Sequence, residues 1–137
     1  MVEFFRNRHK GFYVDVGAYH PINHSNSYKY YLKGWRGINI DPNEKAISLF
    51  QKTRPKDINL LMAIGDITGE IEYYSFLNDD SMNTVSKTFA DSAIINSKLN
   101  IDVVKTVKID SLKNIFTAHL LENQEIDVMT VDVEGFD

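Results

Sequence analysis

The chain has 137 residues and no cysteine, which excludes disulfides, thiolate metal sites and a cysteine nucleophile. That absence fits a reducing compartment. No apolar run comes near the roughly 18 residues that a membrane-spanning helix needs. Met1 to Lys10 mixes Glu, Arg and Lys with its aromatics and contains no signal-peptide core. One glycosylation sequon, Asn23-His24-Ser25, stands without any other secretory feature. The expectation is a cytoplasmic protein with no membrane partner. Clustered positive charge is missing as well: the 15 Lys and Arg are scattered and the net charge is −4. Nucleic acid is therefore not an expected partner. There is no internal repeat and no linker, so the whole of 1–137 reads as one domain. With 43% apolar residues, that domain can bury a core without staples.

Alternating strand and helix signals run along the chain. Phe12 to Val16 is a short apolar run that turns at Gly17. Tyr28, Tyr31, Leu32 and Trp35 recur at helical spacing, with Ser25 as N-cap and Gly34 as stop, and the aromatics are expected to face the core. Gly37 to Ile40 predicts a second strand. Asp41-Pro42-Asn43-Glu44 predicts a helix start, with Asp41 capping, Pro42 in the first helical position and Glu44 closing a capping box. Ile58 to Ile64 predicts one strand covered on both faces. Glu70 to Phe76 then predicts a hairpin strand after the Gly65–Gly69 turn. From 78 to 100 the sequence is polar, with one short helix near Thr88 to Ile95. Ile101 to Ile109 alternates as a half-buried strand. Leu112, Ile115, Phe116 and Leu120 form a helical stripe on which His119 is expected to pack, and Ile126 to Val133 is a last strand. This order predicts an α/β fold: a mostly parallel sheet with helices on both faces.

In such a sheet, ligands sit outside the carboxyl ends of the strands, at the switch point in strand order. Acidic residues stand at four strand ends: Asp15, Asp41, Asp66, and Asp132 with Glu134. Gly17 permits a tight turn and a close approach of backbone to ligand. Asp41, 24 positions later, is placed to accept both hydroxyls of a ribose. The turn Gly17-Ala18-Tyr19-His20-Pro21-Ile22 supplies only the first glycine of a GxGxxG fingerprint, so a pyrophosphate cradle is missing. A cofactor with a ribose and no pyrophosphate fits, and S-adenosylmethionine is such a cofactor.

Several blocks, all in order from about residue 11 to 137, carry a family resemblance. Phe12-Tyr13-Val14-Asp15-Val16-Gly17-Ala18, His20-Pro21, Ser25-Asn26-Ser27-Tyr28 and Gly34-Trp35-Arg36-Gly37-Ile38-Asn39-Ile40-Asp41-Pro42 resemble the opening of FkbM-type methyltransferases. Ala63-Ile64-Gly65-Asp66 with Gly69, and Asp132-Val133-Glu134-Gly135-Phe136-Asp137, resemble later blocks of that family. The resemblance implies a Rossmann-like fold, S-adenosylmethionine as cofactor, and methyl transfer to a hydroxyl of a sugar or other small molecule. It implies that Asp15 and Gly17, with Ala18 and Tyr19, line the methionine end. Asp41 with Pro42 would hold the ribose, Asp66 would lie near the adenine, and Asp132 near the sulfonium and acceptor. The resemblance implies about three more strands, so the single domain reads as incomplete and the last strand as an unpaired edge: either the chain is a fragment of a longer protein or another chain covers that edge, and by itself it is expected to self-associate there or be marginally stable.

Each candidate has a plainer reading beside it. Asp41 is either ribose ligand or helix cap, and Asp15 either site residue or an internal partner for loop amides. His20 and His24 are either a general base or solvated loop side chains, and no catalytic residue is assigned. Asp132 and Glu134 share a strand face, but with no third ligand in view no metal site is expected. Two further functions stay open: a binding module without catalysis, and a nicotinamide-dependent oxidoreductase that the missing glycines disfavour.

Overall fold

The structure, a computed structural model, describes residues 10–76, 83–97 and 100–132. The elements in chain order are β1 (Phe12–Val16), α1 (Tyr28–Leu32), β2 (Arg36–Asp41), α2 (Glu44–Thr53), β3 (Ile58–Leu61), β4 (Ala63–Ile64), β5 (Gly69–Phe76), α3 (Lys87–Ser97), β6 (Ile101–Asp110), α4 (Leu112–His119) and β7 (Val128–Val131). Four strands form a parallel sheet in the order β3-β2-β1-β7. The chain steps outward from β1 to β3 and then returns to the other side of β1, so the switch point lies between β1 and β7. The fold is α/β and Rossmann-like, as the alternation of elements predicts.

The two faces of the parallel sheet differ in chemistry. Val14, Val16, Ile38 and Ile40 point one way and meet Ile115 of α4, with Phe12, Leu112, Phe116 and Leu120 packed around them. Each such buried side chain contributes about 1.5–3 kcal/mol. The alternate residues point the other way and are mostly polar. In strand register, Asn59, Asn39, Asp15 and Thr130 form a row across all four strands. Asn39 Nδ2 donates to Asn59 Oδ1 at 2.9 Å, and Thr130 Oγ1 donates to Asp15 Oδ1 at 2.8 Å. One row lower, a Cβ on Gly37 would lie 2.3 Å from the Tyr13 carbonyl oxygen, so the site takes only glycine.

Over this polar row lies Arg54, the residue that ends α2, with no exposed surface. The polar covering explains why α1 departs from expectation. None of its residues is fully buried and Leu32 is 66% exposed. Tyr28 and Tyr31 pack on the Arg54 guanidinium rather than in an apolar core, at 5.9 and 5.0 Å from ring centre to carbon. Trp35 stacks on Tyr30. The N-cap is Ser27, and Ser25 Oγ accepts from the Ser27 and Tyr28 amides just ahead of the helix.

The start of α2 also differs. Asn43 is its N-cap, accepting from the amides of Lys45 and Ala46 at 2.9 and 3.4 Å. Asp41 is the last residue of β2 and Pro42 precedes the helix. The expected box does not form: Glu44 pairs with Lys105 across an exposed gap of 3.3 Å. Asparagine caps as well as aspartate, and the Asp41 carboxylate is engaged elsewhere.

The apolar run from Ile58 to Ile64 is two strands rather than one. Met62 donates its amide to the Asp41 carbonyl at 3.1 Å, and one residue later the chain enters a second sheet, β4-β6-β5. β3 is half-buried, at the edge of the first sheet among the described residues. β5 pairs antiparallel with β6, from Gly69↔Ile109 to Phe76↔Ile101, rather than folding back on the preceding strand. Its Tyr74 and Phe76 pack on Ala90 and Ala93 of α3. His119 is exposed at the end of α4. In β7, Val128 and Thr130 are half-buried while Met129 and Val131 are exposed, so one face is covered and not both. Val133 and Glu134 lie outside the described residues.

Candidate functional site

A cavity opens at the carboxyl ends of β1, β2 and β7, at the switch point of the parallel sheet. Val16 to Tyr19 form one wall, Asp41 to Asn43 another, and Asp132 a third. Met62, Ala63 and Ile64 line it where the chain steps between sheets, and Tyr73 with Asn83 to Val85 closes the far side. His24 and Asn26 reach it from the loop after β1.

The turn after β1 is held in an unusual backbone shape. Gly17 has φ +75 and, with Ala18, donates its amide to the Ile40 carbonyl at 2.8 and 3.1 Å. Tyr19 has φ +63, and the His20 amide donates to the Ala18 carbonyl at 2.7 Å, which closes a γ-turn on Tyr19. For a side chain as large as tyrosine this conformation is strained, and something must hold it. Asp41 does: its Oδ2 accepts from the Tyr19 amide at 2.9 Å, while its Oδ1 accepts from the Asn43 amide at 2.8 Å. One carboxylate thus ties two strand-end turns together at the cavity wall. A carboxylate has about four acceptor positions, so amide bonding and hydroxyl recognition are compatible at one side chain.

Beneath the wall, Arg54 anchors the loop from residue 21 to 27. Its Nη2 donates to the Pro21 carbonyl at 2.7 Å and to Ser25 Oγ at 3.2 Å. Its Nη1 donates to Ser27 Oγ at 2.8 Å and to Tyr13 Oη at 3.2 Å. Asp57, equally buried, lies 3.9 Å away. Tyr13 donates a short hydrogen bond to Asp57; burial, then this partner, pushes the phenol well above its usual range. Arg54 Nε has no hydrogen-bond partner among the described residues.

Of the sequence-derived candidates, Gly17, Ala18, Tyr19, Asp41, Pro42 and Asp132 are brought together on the cavity. Asp15 lies below it, 2% exposed, accepting from the hydroxyls of Ser27 and Thr130. Its partners are hydroxyls rather than the loop amides expected of a structural role. Burial pushes its carboxyl upward, against the lowering by these two bonds and by Arg54. Asp66 is exposed in the turn between β4 and β5 and does not line the cavity.

The two loop histidines separate. His20 Nδ1 accepts from the amides of Ile22 and Asn23 at 3.0 and 2.9 Å, so it staples the loop. His24 lines the cavity with φ +58. No group of three His, Asp or Glu among the described residues is arranged to hold a metal.

Sequence reasoning missed Arg54, Asn43 as cap, and the wall formed by Tyr73 and Asn83 to Val85. That last segment reaches the cavity through paired bonds between Tyr74 and Thr84, 2.8 and 3.0 Å long. A single bridge of this kind leaves no periodic signal. A family model described as a methyltransferase FkbM domain matches residues 15–137. No curated protein and no solved structure matches the chain.

Proposed function

Because the chain belongs to the FkbM methyltransferase family, we propose that its cavity binds S-adenosylmethionine and that the methyl group goes to a hydroxyl of a sugar or other small molecule. The observation that carries this reading is Asp41. The residue is 7% exposed and stands on the cavity wall, and its carboxylate is oriented by two backbone amides. A preorganised acceptor at the end of β2 suits a vicinal diol. Gly17 brings backbone alone to the adjoining wall. Met62, Ala63, Ile64 and Val85 offer apolar surface to a flat base. No second or third glycine is present to seat a pyrophosphate, which argues against a dinucleotide.

When bound, S-adenosylmethionine supplies a methyl group activated by a sulfonium. The protein's own task is alignment. Asp41 fixes the ribose end, the γ-turn at Tyr19 and the segment Met62 to Ile64 bound the cavity, and Asp132 places a negative charge opposite them. Holding two reactants in line converts a bimolecular encounter into an oriented one.

Titration calorimetry with S-adenosylmethionine, S-adenosylhomocysteine and NAD tests the reading. The first two should bind and NAD should bind more weakly. NAD as the tightest ligand overturns it.

A further inference from the structure

Methyl transfer to a hydroxyl releases a proton, and among the described residues that line the cavity one, His24, carries an imidazole that can receive it. We propose that the His24 imidazole faces the methyl-transfer position and takes the proton of the acceptor hydroxyl. This rests on the S-adenosylmethionine reading above. Three observations converge on His24. It lines the cavity and is exposed, so it can pass the proton on to solvent. Its side chain has no hydrogen-bond partner among the described residues, whereas His20 on the same loop is committed to two amides. Its backbone is left-handed at φ +58, a conformation that strains a non-glycine residue and clusters at functional sites.

The loop is built to keep that strain. Arg54 grips Pro21 on one side of His24 and Ser25 on the other, at 2.7 and 3.2 Å. The Ser25 amide donates to the Ile22 carbonyl at 3.4 Å, and His20 gathers the amides of Ile22 and Asn23. A solvated surface histidine needs none of this.

Among the described residues, the other titratable groups on the cavity are Asp41, Asp132, Tyr19 and Tyr73, with His20 on the same loop and Arg54 beneath it. Asp41 already serves two turns. Asp132 is a carboxylate, and carboxylates as a class are weaker bases than imidazoles. Its negative charge also favours the cation before reaction, where a neutral imidazole does not. In the step itself, the acceptor oxygen forms a bond to the methyl carbon as the carbon–sulfur bond breaks. The electron pair stays on sulfur, which becomes a neutral thioether. The hydroxyl proton passes to an imidazole nitrogen of His24, and the positive charge lost at sulfur reappears on the ring.

The test needs no knowledge of the acceptor. Histidine ring resonances are followed by NMR against pH with saturating S-adenosylmethionine and then with saturating S-adenosylhomocysteine. The His24→Asn variant identifies the His24 signals, since asparagine tolerates the left-handed backbone. A sulfonium about 6 Å from an exposed imidazole should lower its titration midpoint by about half a unit to one unit relative to the neutral thioether. His20 should move less. Equal midpoints for His24 with the two ligands, or a larger shift at His20, overturn the assignment while leaving the cofactor reading intact. Failure of both ligands to bind overturns the cofactor reading and this inference with it.

Discussion

Replacing Asp41 by asparagine keeps its shape and asks what the second oxygen does. The carboxylate accepts from Tyr19 N at 2.9 Å and from Asn43 N at 2.8 Å. A carboxamide has one oxygen for these two donors, and its NH2 must meet the other amide donor to donor. The Asn43 bond is buried and the Tyr19 bond only partly so. The cheaper orientation therefore keeps Asn43 satisfied and leaves Tyr19 N to water. The expected loss of stability is about 1–2 kcal/mol, low in the range for an unsatisfied amide. For a chain of this length that is roughly 3–8 °C in Tm. Loss of a charged acceptor to the ribose removes a further ~1.5–3 kcal/mol of binding, or about 10- to 150-fold in Kd for S-adenosylhomocysteine. Thermal unfolding and calorimetry on one preparation, the latter well below Tm, separate the two effects. A variant with lowered Tm but wild-type affinity would show that Asp41 serves the turns alone. A variant unchanged in both would refute the bonding geometry itself.

Two other expectations follow from the same structure. Asp15→Asn tests the sign of a buried charge: the native carboxyl is raised above its ordinary 3.8, chiefly by burial. The stability linked to it is complete below that value and is lost as pH rises through the native value. Urea unfolding from pH 4 to 7 should therefore show the wild type losing stability that the variant keeps. A variant weaker by more than about 2 kcal/mol at pH 7 would mean that attraction to Arg54 outweighs desolvation. Asn43→Ala should cost about 1 kcal/mol as a lost cap, and Glu44→Ala, which loses only an exposed ion pair, less than about 0.5 kcal/mol; the reverse order of unfolding midpoints would restore Asp41 and Glu44 as the cap.

The sequence carried the elements that repeat and hid those that depend on one contact. β1, β2 and the stripe of α4 announce themselves because Val14, Val16, Ile38, Ile40 and Ile115 meet on one apolar face. The acidic strand ends pointed to the switch point, and Asp41 and Asp132 do stand there. The break at Met62 was not legible, because an apolar run looks the same whether it serves one sheet or two. Asp15 sits one residue inside the strand end, where strand alternation turns it to the polar face rather than the mouth. Arg54 gave no signal at all. A lone arginine after a helix reads as solvated, and what makes the buried cation tenable is its ring of acceptors from Tyr13, Pro21, Ser25 and Ser27, with Asp57 at 3.9 Å.

Arg54 also sets when the cavity wall can exist. Its partners Tyr13, Pro21 and Ser27 lie 41, 33 and 27 residues away along the chain, so the bonds that tie the 21–27 loop to the body of the protein through Arg54 are long-range. Contacts of that kind form only after the intervening chain has been ordered. The local bonds from His20 and within the loop shape it but do not dock it, so it assembles with β1, β2 and α2 in one cooperative unit. Ligand-binding loops usually belong to the least protected part of a protein. Here the segment that carries His24 is expected to share the opening free energy of the core, with the mouth of the site unravelling only when the sheet does.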